Sequence, residues 1–143
     1  MSKKLSLDDQ KVNTKIIIMS AWIALMCLYI YCDILTFFRP GTIGGIMSGK
    51  MGFLDVSPMS LFSASLLMVV PSIMILVSAL TAASVSRVIN MAVSAIYFLV
   101  NIGNLIGETW AYYFLFGLLE IRVVILIFVI SLRWPKERGA IAT

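Results

Sequence analysis

The sequence predicts an all-α protein, a bundle of four transmembrane helices with both termini on the cytoplasmic side. Three observations carry this expectation. Hydrophobic residues make up 61% of the 143-residue chain and charged residues 13%, against about 45–50% and about 25% in soluble domains. One domain's length of chain cannot hide that much apolar surface, so lipid has to cover part of it. Four long apolar runs follow one another, and ~20 helical residues cross a hydrocarbon core of ~30 Å. Lys and Arg gather near the chain ends, the distribution that orients membrane proteins.

Residues 1–15, MSKKLSLDDQKVNTK, are polar and read as a cytoplasmic segment. The first span covers about 16–38 and stops at Pro40-Gly41. It exceeds the ~7–15 residues of a signal-peptide core and no A-x-A site follows, so it reads as a retained helix. The loop 39–57 holds five of the nine glycines, Gly41, Gly44, Gly45, Gly49 and Gly52, yet keeps Ile43, Ile46 and Met47 at helical spacing. Either a short interfacial helix or an ordered loop over the bundle end fits that mixture. Ser57-Pro58 is an N-cap followed by proline at the first helical position, and it opens the second span, 58–82. Pro71 removes a backbone donor near its middle. Residues 83–87 read as a short turn before the third span, 88–107. Glu108-Thr109 is a minimal connection in which Thr109 caps the fourth span, 110–134, and Pro135 ends it. Residues 135–143 form a polar cytoplasmic tail.

Lys3, Lys4, Lys11, Lys15, Arg87, Arg133, Lys136 and Arg138 fall on one side and Arg39 and Lys50 on the other. That asymmetry predicts cytoplasmic termini. No basic run is interleaved with stacking aromatics, so nucleic acid is excluded as a partner. Cys27 and Cys32 stand ~7.5 Å apart along one helix and on different faces, which suits apolar fillers rather than a mutual disulfide. Histidine is absent, which removes the commonest general base and metal ligand. No cofactor or metal cluster is expected.

The charges within the apolar runs need a reason, because a charged side chain at the bilayer centre costs ~2.5–3.5 kcal/mol on insertion scales. Asp33 lies near the outer end of the first span, and Glu120 and Arg122 lie near the middle of the fourth. Two residues apart on a helix, Glu120 and Arg122 point to nearly opposite sides. Arg122 is then expected as a counter-ion for Asp33 or Glu120 and counted with the ligand-binding residues, or else to snorkel. Asn101 and Asn104 share one face of the third span, Tyr29 and Asp33 one face of the first, and Tyr113, Gly117 and Glu120 one face of the fourth. Brought together, Tyr29, Asp33, Asn101, Asn104, Tyr113 and Glu120 make a polar pocket in the outer half, over a cytoplasmic half that reads as nearly all apolar. Gly103-x-x-x-Gly107 and Ser60-x-x-x-Ala64 offer close helix approach.

YIYCDILTFFRPG at 29–41 and LLEIRVVILIFVISLRW at 118–134 resemble a family of small bacterial membrane proteins known only as a domain of unknown function. The resemblance covers about residues 16–134. It implies a four-helix bundle in a bacterial inner membrane and brings no activity. The two-carboxylate layout is also similar in outline to the sterol-isomerase and sigma-2-receptor group, a likeness of fold alone, since the histidine of those isomerases is missing.

Three functions fit. A small transporter or ligand-binding protein would use Asp33 and Glu120 for a cation, proton or amphiphile, as a homo-oligomer because one bundle is thin for a path. A scaffold or partner subunit would dock on another membrane protein through small-residue faces. An intramembrane lipid enzyme would use the carboxylates as acid and base, without a visible nucleophile.

Overall fold

The computed structural model describes residues 11–52 and 54–135. The element order is α1 (Thr14–Thr36), α2 (Thr42–Met47), β1 (Lys50–Met51), β2 (Leu54–Asp55), α3 (Pro58–Leu80), α4 (Ala83–Leu105) and α5 (Ala111–Leu132). The four long helices have the length and hydropathy to cross a membrane. The chain thus has the expected all-α, four-span architecture. Residues 1–10 and 136–143, assigned above to cytoplasmic segments, lie outside the described residues. The helices α1, α3, α4 and α5 alternate in direction. The terminal end of the bundle therefore gathers Lys15, Ala83 and Trp134, and the loop end carries α2 and the β1–β2 hairpin. Helix α1 packs on α3 and α5, α5 packs on α4, and α3 touches α4 only sparingly.

Local chemistry sets most boundaries. The Asn13 side chain accepts from Lys15 N at 2.9 Å and starts α1. Ser57 and Ser60 form the reciprocal pair of a capping box at α3, with Pro58 behind them. Most helix ends shift by one or two residues from the sequence reading, and three departures have an identifiable local cause. Residues 83–87, expected as a turn, are the first turn of α4, and the connection shrinks to Thr81-Ala82. Ser86 and Arg87 look like loop residues by hydropathy, but both have work inside a helix. The Ser86 carbonyl accepts from Asn90 Nδ2 at 2.8 Å, and Arg87 reaches the Ser131 and Leu132 carbonyls, each at 3.2 Å. Arg87 thus covers orphan carbonyls at the end of α5, as Lys15 covers Thr81 O beyond α3, a favourable use of cations at helix C-termini. Thr109 does not cap α5; the Glu108 carboxylate accepts from Thr109 N at 2.8 Å and Trp110 N at 3.1 Å instead. Helix α4 ends earlier than expected because Gly107 takes a left-handed φ of 81°. The glycine-rich loop contains a short helix, α2, as one of its two readings expected, followed by a hairpin that neither reading included, pairing Lys50 with Asp55 and Met51 with Leu54.

The core is built from unlike helix faces. Ile18, Trp22 and Leu25 of α1 meet Val124 and Ile127 of α5, all fully buried. The buried face of α4 is polar: Ser86, Asn90, Ser94, Tyr97 and Asn101. In hydrocarbon such a stripe has to find its partners within the bundle. Trp22 Nε1 donates to Asn90 Oδ1 at 2.6 Å, and Ser78 Oγ donates to the same oxygen at 3.1 Å. This corrects the expectation of an apolar half at the terminal end, where a connected polar network joins α1, α3 and α4. The sequence reading overlooked Asn90 because a lone asparagine gives no pattern.

Tyr97 repairs a break made by Pro71. Proline has no N–H, so the carbonyl four residues earlier, Leu67 O, loses its helical donor. Tyr97 Oη donates to that carbonyl at 2.7 Å, while its ring meets Trp22 edge-on at 6.2 Å. One side chain thereby ties α4 to α3 where the two helices otherwise scarcely touch.

The small-residue motif is also corrected. A Cβ at Gly103 would meet nothing within 4 Å, and Gly107 lies outside the helix, so this pair brings no helices together within the chain. Ser60 of the second motif is spent in the capping box. Close approach occurs at Gly117, where a Cβ would come 2.6 Å from Leu105 Cδ2.

Two outcomes follow for unfolding in lipid or mild detergent. Tyr97→Phe is expected to lose about 0.6–1.7 kcal/mol in the native background and clearly less in Pro71→Ala, where residue 71 recovers its N–H. An equal loss in both backgrounds would refute the repair. Gly117→Leu is expected to lose about 1–3 kcal/mol by overpacking, while Gly103→Leu leaves the isolated chain's unfolding midpoint unchanged.

Candidate functional site

Four helices converge on one small cavity in the loop-end half. Its volume is about 60 Å³, room for a few waters or the head of a small cation. Tyr29, Cys32 and Asp33 come from α1, Leu67 and Met68 from α3, Tyr97, Val100 and Asn104 from α4, and Tyr113 and Glu120 from α5. The spacing rules explain the grouping. Tyr29 and Asp33 are one turn apart, Tyr97 and Asn104 two turns, and Tyr113 and Glu120 two turns.

Glu120 lies ~13 Å from the first residue of α5 and is 5% exposed. Neither ion pair among the described residues includes it. Two of the three tyrosine hydroxyls lining the cavity are committed elsewhere, Tyr29 to Asn101 Oδ1 at 2.7 Å and Tyr97 to Leu67 O. Burying an ionised carboxyl without partners is expensive.

Asp33 is the exposed member and belongs to two spaces. It lines the cavity, and it also lines a vestibule of about 710 Å³ enclosed by the end of α1, α2 and the hairpin. Arg39 and Lys50 line the vestibule too, but both are paired, Arg39 to Glu108 at 2.8 Å and Lys50 to Asp55. The carboxylate of Asp33 is left without a pair among the described residues.

The expected pocket is therefore assembled only in part. Tyr29, Asp33, Asn104, Tyr113 and Glu120 line it. Asn101 stands behind the wall, fully buried, holding the Tyr29 hydroxyl while its own Nδ2 has no partner among the described residues. Arg122 is on the exposed face of α5 and is paired with neither Asp33 nor Glu120. Sequence reasoning missed Tyr97, Cys32, Leu67, Met68 and Val100. Tyr97 was within reach, since Pro71 demands a donor for Leu67 O from a neighbouring helix. No cluster of metal-ligand type exists among the described residues.

Arg39 closes the site's rim. Its guanidinium lies 5.3, 5.0 and 5.2 Å from the ring centroids of Trp110, Tyr112 and Tyr113, within cation–π range. Its Nε donates to the Tyr112 hydroxyl, which also meets Thr36 Oγ1 at 3.0 Å. These contacts pin the end of α1 to the start of α5. Partial burial pushes the Glu108 carboxyl up, but the Arg39 hydrogen bond and the amides of Thr109 and Trp110 outweigh it and hold Glu108 below the usual carboxylate range. A carboxyl depressed on folding stabilises the fold above its unfolded pKa, ~4.3 for glutamate, and loses that contribution as pH falls through the folded value. Acidification is thus expected to lower the thermal midpoint of the native protein more than that of Glu108→Gln, which starts lower at neutral pH. Parallel curves would remove Glu108 from the account.

Residues 5–141 match DUF6326, a family of unknown function, and the chain belongs to that family. No curated protein and no solved structure matches it.

Proposed function

We propose that this multi-pass membrane protein binds a small organic cation, with the charged head between Asp33 and Glu120 and the rest of the molecule in the vestibule. The observation that carries the reading is Glu120. It is a mid-span carboxyl, almost fully buried, lining a cavity to which all four long helices contribute and included in no ion pair among the described residues. An intramembrane carboxyl of this kind commonly handles a proton or a cationic substrate. The vestibule supports the same sign. Its two cations are neutralised by partners, so Asp33 sets its charge, while Phe37, Ile46 and Met51 offer it apolar walls.

Orientation and location belong to the same proposal. Eight of the Lys and Arg residues fall toward the terminal end and two toward the loop end, so the termini face the cytoplasm and the vestibule faces out. The family resemblance points to a bacterial inner membrane. Carriage across the membrane would need more than one chain, because a single four-helix bundle encloses only this small chamber.

The test is a thermal-stability titration of the protein in lipid nanodiscs. Hexylammonium is the probe, with hexanol and hexanesulfonate as neutral and anionic counterparts. A ligand bound only by the folded state stabilises by ~2.7 kcal/mol at a hundred times its Kd. Hexylammonium is expected to raise the midpoint and the other two are not. Glu120→Gln and Asp33→Asn are expected to fold and to lose the response. Equal shifts from hexanol, or full responses in both variants, would sink the proposal.

A further inference from the structure

Arg122 is the charge in the bundle that the cavity does not explain. It stands eleven residues after Ala111 and ten before Leu132 in α5, ~16 Å and ~15 Å from the two helix ends. The inward face of α5 is made by Gly117, Glu120, Val124, Ile127 and Ser131. At 3.6 residues per turn, Arg122 points about 180° away from the middle of that face. Large exposed apolar side chains surround it: Leu115, Leu118, Leu119, Ile125 and Leu126. The surroundings are those of a lipid-facing helix, and the guanidinium in their midst pairs with no carboxylate of the described residues. An extended arginine shortens the distance to either interface without closing it.

A charge held at that depth on an outer face calls for a partner of opposite sign. A second copy of this chain does not supply one at the right level. The four long helices contain two acidic residues, Asp33 and Glu120. Glu120 faces its own cavity. Asp33 stands three residues from the end of α1, ~4.5 Å from that end and far from the depth of Arg122. We propose that the outer face of α5 around Arg122 is a docking surface for a transmembrane helix of another protein, one that carries an aspartate or glutamate near the middle of its span. The carboxylate pairs with Arg122 in a fork that a planar guanidinium favours, and the leucine-rich surround packs against the rest of that helix. This surface is independent of the cation cavity, because it uses the opposite side of α5.

The test uses the full chain in phosphatidylcholine vesicles and two synthetic single-span helices, one all-leucine and one with a single central glutamate. Association is read by energy transfer between labels on protein and helix. The glutamate helix is expected to bind the native chain on the order of tenfold more tightly than the leucine helix. Arg122→Leu is expected to erase that preference and Arg122→Lys to retain part of it. Because residue 122 faces outward, the unfolding midpoint of Arg122→Leu is expected to match or exceed the native value, which separates lost docking from lost folding. Equal binding of both helices to the native chain, or an undiminished preference in Arg122→Leu, would overturn the proposal. Self-association of the native chain that is lost in Arg122→Leu and unmoved by the glutamate helix would also overturn it, by assigning the surface to a second copy.

Discussion

Hydrocarbon offers a polar group nothing to bond to, and the bundle is organised around that constraint. Its consequence is the inward polar stripe of α4. Asn90 is met by Trp22 and Ser78, Tyr97 by the carbonyl that Pro71 leaves free, and Asn101 by Tyr29. These bonds reach α1 and α3 from a helix that packs mainly on α5. Each such bond in a membrane protein is worth only ~0.6 kcal/mol on average. Their larger effect is on register: sliding or rotating α4 would unpair several groups at once, and each buried donor or acceptor left alone costs ~1–3 kcal/mol. The helix ends obey the same constraint, with Lys15, Arg87 and Glu108 covering carbonyls or amides that the helices cannot satisfy themselves.

Against that background the loop-end half stands out. Toward the termini, Trp22, Ser78, Ser86 and Asn90 are bonded to one another. Toward the loops, Asp33 and Glu120 line a cavity and enter no ion pair among the described residues, while Arg39, Glu108, Lys50 and Asp55 are all paired around the rim. The two halves differ in their carboxylates: those that line the chamber, Asp33 and Glu120, enter no ion pair among the described residues. A bundle that pairs the charges of its rim yet keeps two carboxylates facing a chamber is the arrangement on which the proposed cation site rests.

Much of this was legible in the sequence, and the failures have physical causes. Hydropathy located all four spans because lipid imposes length and apolarity at once. Spacing placed Tyr29 with Asp33 and Tyr113 with Glu120, since residues one or two turns apart share a face. Hydropathy could not see that Ser86 and Arg87 belong to a helix, because their roles are bonds to residues on that helix's next turn and on another helix. It could not find the Asn90 network, whose members come from three different helices. Gly103 and Gly107 matched a packing motif that the turn conformation of Gly107 makes moot, while Gly117, in no motif, is the glycine that α4 approaches. Arg122 was expected to face a carboxylate within the bundle. The inward set on α5 is fixed by Gly117, Glu120 and Val124, and this leaves Arg122 on the opposite side.

The central claim is that a chamber accessible from the loop end carries an anionic field. Its most direct test is the chemistry of a thiol placed at Asn104, an exposed residue of the chamber wall. In a background with Cys27→Ser and Cys32→Ser, Asn104→Cys would be treated in proteoliposomes with cationic and anionic methanethiosulfonates of matched size. The account predicts modification from the loop-end side, faster with the cationic reagent, and a smaller charge preference after Asp33→Asn. No modification from that side, or equal rates for the two reagents, would contradict it.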